Sequence, residues 1–124
     1  MKPHPHASTP AALTRERALK GYLQVVASLP RLSGEAQSRL ASDAACGDER
    51  ALRALLESFL PLVLAEAAAR RGQGPRFEAL LAAGNQGLLR SLRHSPVDLQ
   101  QVPSAVREAL DKAVALQRAR KAGL

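Results

Sequence analysis

The chain has 124 residues, 46% of them hydrophobic, with two Phe, one Tyr and no Trp. That length allows one domain with a modest core, and a core drawn from Leu, Val and Ala, with Ile absent, favours packed helices over a sheet. A formal charge of +7 suits an acidic partner or a nucleic acid, while the single cysteine, Cys46, excludes an intrachain disulfide and a multi-cysteine metal site.

No apolar run approaches the roughly 18 residues of a membrane span, and no secretory leader is recognisable, so a cytoplasmic location is expected. Residues 1–12 hold Pro3, Pro5 and Pro10 with His4 and His6 and show no periodicity, which reads as a flexible arm. Two histidines without further ligands do not make a metal site. A first helix is expected from about Thr14, as N-cap, to Ser28, with Leu19, Tyr22, Leu23 and Val26 on one face and Pro30 ending it. Ser33 can cap a second helix through about Ala45, with Ala36, Leu40 and Ala44 inward. Gly47 is a natural stop and Asp48 a cap for the helix that carries Leu52, Leu55 and Leu56.

Pro61 then argues for a break near Ser58 to Leu60 and a fresh helix to about Arg71, because proline costs roughly 3 kcal/mol inside a helix and little in its first turn. Gly72-Gln73-Gly74-Pro75 is a turn. Beyond it, residues 76–92 form the stretch around which the rest is expected to be arranged. Phe77, Leu80, Leu81, Leu88 and Leu92 make one amphipathic stripe, and Gly84 continues it. Gly84 and Gly87 each cost up to roughly 1 kcal/mol relative to Ala, so close packing must justify them. His94-Ser95-Pro96 closes this helix, and a last one is expected from about Pro103 to Arg120 with Val106, Leu110 and Val114 inward. The domain is thus expected to span residues 13–118, followed by a basic tail over 119–124. The fold class that results is all-α, a bundle of about five to six short helices with neighbours packed in chain order.

Read together, Tyr22-Leu23, Leu32-Ser33, Leu40-Ala41, Gly47-Asp48-Glu49-Arg50-Ala51, Leu62-Val63, Gly72-Gln73-Gly74 and Ala79-Leu-Leu-Ala-Ala-Gly-Asn-Gln-Gly-Leu88 resemble bacterial RNA polymerase sigma factors of the housekeeping type. The match is to the N-terminal part of their main core-binding domain, over about residues 17–93 with a fainter echo to about 116. Its most specific piece is Gly84-Asn85-x-Gly87-Leu88, twelve residues after Gly72.

The resemblance implies a partner-binding surface at Ala79, Ala82, Ala83, Asn85, Gln86, Leu89 and Arg90. The family carries Asp, Gln and Glu where this chain has Ala79, Ala82 and Ala83, and uses them to grip the coiled coil of the polymerase largest subunit. The outward stripe 79, 82, 83 and 86 is therefore small and nearly uncharged here, and charge-assisted bonds of roughly 1.5–3 kcal/mol each are lost. Residues 97–116, where the family opens promoter DNA with aromatic side chains, contain none. The later promoter-reading helix-turn-helix domains also have no counterpart in these 124 residues.

The resemblance thus implies a sigma-like transcription protein, degenerate and truncated, that contacts RNA polymerase, promoter DNA or both in transcription initiation. A second reading is an adaptor or decoy that binds an anti-sigma-like protein through the small-residue face. A third is a basic helical module that meets DNA phosphates through Arg93, Arg107, Arg118, Arg120 and Lys121. No cofactor, bound metal or small-molecule substrate is expected, and the chain does not read as an enzyme. Cys46 has no histidine nearby in sequence and is expected to be a small buried residue, while Glu57 and Glu66 are expected on solvated faces.

Overall fold

The computed structural model describes residues 10–29, 31–94 and 97–123, with side chains from residue 17 onward. The helices are α1 (Pro10–Ser28), α2 (Gly34–Ala45), α3 (Glu49–Ala68), α4 (Phe77–Arg93) and α5 (Val102–Lys121), with a single 3-10 turn at Leu99–Gln101 and no strand among the described residues. This is the expected all-α bundle.

Several boundaries follow from capping chemistry. Ser33 is extended and its hydroxyl accepts from the Ala36 N–H at 3.1 Å, opening α2. Gly47 sits in the left-handed region at φ 94°, where a Cβ would be strained. The Asp48 carboxylate then accepts from the N–H groups of Arg50 and Ala51 at 3.0 and 3.1 Å, opening α3. Two more left-handed glycines, Gly72 and Gly74, turn the chain from α3 into α4. All of these lie where the sequence suggests them.

Other boundaries differ. Helix α1 already begins at Pro10, which suits a first helical turn, so Thr14 lies inside the helix and does not cap it. The rest of the expected arm, including His4 and His6, lies outside the described residues. At the other end α5 continues through Arg120 to Lys121, so the start of the expected basic tail is helical.

Pro61 does not divide its helix. Helix α3 runs unbroken through it, with Leu52 and Leu55 before it and Val63 and Ala67 after it buried in one core. Burying each large side chain contributes roughly 1.5–3 kcal/mol, which together outweighs the roughly 3 kcal/mol of an internal proline. Pro61 is also exposed, and the carbonyl that loses its N–H donor is that of Glu57, one turn earlier.

The hub of the bundle is α3 and not α4, because α3 touches α1, α2, α4 and α5. Its middle is apolar on nearly every side. Leu55 and Val63 are buried, and Leu56, Phe59, Leu60, Leu62 and Leu64 pack partly buried around the core. Against it lie Leu80, Leu81, Leu88 and Leu92 from α4 and Val102, Val106, Leu110 and Val114 from α5, the last four spaced one per turn.

Candidate partner-binding site

Residues 84–88 are helical, and the two glycines mark where α4 is closest to its neighbours. A Cβ added at Gly84 would stand 2.7 Å from Val63 Cγ1 on α3 and 3.5 Å from Leu110 Cδ2 on α5. One added at Gly87 would stand 2.6 Å from the Ala109 Cβ and 3.0 Å from the Ala105 carbonyl oxygen. Close packing therefore accounts for both glycines. It also fixes which side of α4 faces out, since the notched side is committed to α3 and α5.

On the outer side, Ala79, Ala82, Gln86 and Arg90 are exposed and Leu89 is half-buried. Ala83, expected in the outward stripe, is half-buried and packs against the core instead. It lies next to Gly84, on the edge of the face that meets α3. Asn85 is also drawn partly in. Its Nδ2 donates to the Tyr22 hydroxyl of α1 at 3.5 Å, and its Oδ1 is buried without a hydrogen-bond partner.

The basic residues named from the sequence are not gathered into one patch. Arg93 pairs with Glu49 at 3.7 Å and Arg107 with Glu66 at 3.5 Å. Arg118, Arg120 and Lys121 share the last turn of α5, where cations suit the carbonyl end of the helix. Glu66 does not lie on a solvated face. It is half-buried, receives Arg70 Nη1 at 3.0 Å as well as Arg107, and Arg70 Nε reaches across to Asp111 at 2.8 Å. The Arg70 side chain is only 12% exposed. Its pKa is raised further above its ordinary value, chiefly by the hydrogen bond to Asp111 and then by Glu66, against the opposing effect of burial. This cluster ties the end of α3 to α5. The Glu66–Arg70 spacing is visible in the sequence, whereas the α5 members depend on how the two helices align.

Two further features were not foreseen. A cleft of about 770 Å³ opens between α4 and α5, with Gly87, Ala105 and Ala109 among its lining and Arg90, Glu108 and Lys112 alongside. Cys46, expected to be buried, is exposed at the end of α2, because it caps a helix whose next two residues turn the chain at the surface. Among the described residues no group of three His, Cys, Asp or Glu side chains could hold a metal ion, and no helix is long and apolar enough to cross a membrane.

No protein-family model matches this chain. The RNA polymerase sigma factor SigA of Bacillus sp is 33% identical over 85 residues, which is 68% of this chain and 22% of that relative. The chain is sigma-factor-like over that span. It covers about a fifth of the curated relative's length, so the likeness concerns a portion of a sigma factor and not the whole protein. A sigma-like relationship carries a general link to transcription.

Proposed function

We propose that this protein acts in transcription initiation by binding RNA polymerase core through the outer surface of α4, working by contact and not by catalysis, in the cytoplasm. The observation that carries the proposal is the 33% identity to SigA, supported by an α4 whose glycine notch leaves Ala79, Ala82, Gln86 and Arg90 exposed. In this reading Gln86 and Arg90 supply the polar contacts, Ala79, Ala82 and Leu89 supply shape, and the coiled coil of the polymerase largest subunit is the surface met.

The test is capture of purified core polymerase by the full chain. Replacing Ala79→Asp and Ala82→Gln puts back polar groups at exposed positions and is expected to strengthen capture about tenfold, as one charge-assisted hydrogen bond would. Ala83 is left alone, since a glutamate there would compete with its packing against the core. Unchanged capture would remove α4 as the docking surface.

A second reading is favoured by the same small, weakly charged surface. Ala79, Ala82 and half-buried Leu89 suit contact with another helix, as an adaptor or decoy occupying an anti-sigma-like protein would need. Capture of such a regulator without polymerase subunits would select it. Direct binding to DNA is the weaker third reading, because Arg93 and Arg107 are already paired with carboxylates.

A further inference from the structure

The cleft between α4 and α5 carries charges of both signs that the fold leaves unused. Its floor is built of small residues, because Gly87 on α4 lies against Ala105 and Ala109 on α5. Arg90 stands on the α4 wall, Glu108 and Lys112 on the α5 wall, and Asp98 at the end that leads into α5. All four are exposed, and none forms an ion pair among the described residues. Elsewhere Arg70, Arg93 and Arg107 each find a carboxylate. Ala105, Ala109, Lys112 and Leu116 recur at i, i+4, i+7 and i+11, so Leu116 extends the α5 wall about one turn beyond Lys112. It is 53% exposed and the one exposed leucine among the described side chains.

These charges restrict what can lie in the cleft. The cations of Arg90 and Lys112 cancel the carboxylates of Asp98 and Glu108, in a chain whose formal charge is +7. A nucleic acid would bring phosphates against Asp98 and Glu108, and a uniformly acidic segment would meet the same repulsion. The occupant must itself carry both signs, with small or apolar groups between them. A second copy of this chain does so by symmetry. When a two-fold axis runs along the cleft, α4 of each copy lies opposite α5 of the other. Arg90 of one copy then faces Glu108 of the other, and the contact is made twice. The small floor lets the two clefts approach closely, and each Leu116 gains apolar cover.

We propose that this chain self-associates into a two-fold dimer through the α4–α5 cleft, held in register by reciprocal Arg90–Glu108 pairs. The surface borders the proposed polymerase-binding side of α4 at Arg90 and is otherwise separate from it. Its test needs no polymerase.

The measurement is sedimentation equilibrium of the full chain up to about 1 mM, where even a Kd of about 100 μM leaves mostly dimer. Arg90→Glu sets one cation against three carboxylates in the cleft, and Glu108→Arg sets three cations against one carboxylate. Both positions are exposed, so the helical circular dichroism and urea midpoint are expected to stay near the parent's. Each variant alone is expected to dimerise about tenfold more weakly, because every change is made twice across a two-fold contact. An equimolar mixture of the two variants should dimerise about as tightly as the parent, since every contact between positions 90 and 108 again joins opposite signs. The chain carrying both changes should match the mixture. A parent chain that stays monomeric at the highest concentration would overturn the proposal. So would a dimer that neither single variant weakens, or one that the mixture and the double variant fail to restore.

Discussion

Gly87 is a position where two opposing effects can be weighed. Helix propensity alone favours Gly87→Ala by about 1 kcal/mol. Against that, the new methyl would stand 2.6 Å from the Ala109 Cβ and 3.0 Å from a backbone oxygen of α5, neither of which can swing aside. Overpacking of this kind costs about 1–3 kcal/mol, so the variant is expected to be less stable by urea denaturation. Gly21 in α1 provides the contrast, since a Cβ there meets nothing within 4 Å. Gly21→Ala should therefore leave the core unchanged and firm up α1 by about 0.5–1 kcal/mol, seen as slower amide exchange in residues 17–28. If both variants shift stability the same way, propensity governs and the notch does not. The need for packing at Gly84 and Gly87 is readable from sequence because a mid-helix glycine pair has a known cost. Which atoms fill the notch is not, since Val63, Ala105 and Ala109 are brought there by helix alignment. The same limit applies to Asn85, whose partner Tyr22 is 63 residues away.

For the elements, local chemistry proved the better guide at ends and the weaker one in the middle. Ser33, Gly47 and Asp48 act within three residues of themselves, and each boundary they imply is present. Pro61 misleads because its cost is local and its compensation is not. Leu52, Leu55, Val63 and Ala67 can be buried together only if the helix continues past the proline. This has a measurable consequence. Pro61→Ala restores an N–H for the Glu57 carbonyl at an exposed site, and is expected to stabilise the protein by about 1–2 kcal/mol after the gain in unfolded-chain freedom is subtracted. A proline in the first turn of a separate helix would give almost no change in thermal midpoint, because no hydrogen bond would be regained there. The central role of α3 was hidden for a related reason. A helix apolar on all sides has no single stripe, whereas the amphipathic stripe of α4 stands out in the sequence.

In the whole molecule, helix order and alignment decide which sequence signals become surface. The bundle commits one side of α4 to the glycine-notched contacts, turns Ala83 inward, half-covers Asn85 and leaves Ala79, Ala82, Gln86 and Arg90 outside. Ion pairs offset the charges of Arg70, Arg93 and Arg107, while Arg118, Arg120 and Lys121 share the last turn of α5. The most direct measurement is site-specific photocrosslinking of the full chain to purified RNA polymerase core, with the crosslinking side chain at exposed Gln86 on α4 and, for comparison, at exposed Arg39 on α2. Docking through the outer surface of α4 predicts an adduct between position 86 and the largest polymerase subunit that is absent or much weaker from position 39. Equal yields from the two positions, or no polymerase adduct from position 86, would contradict it.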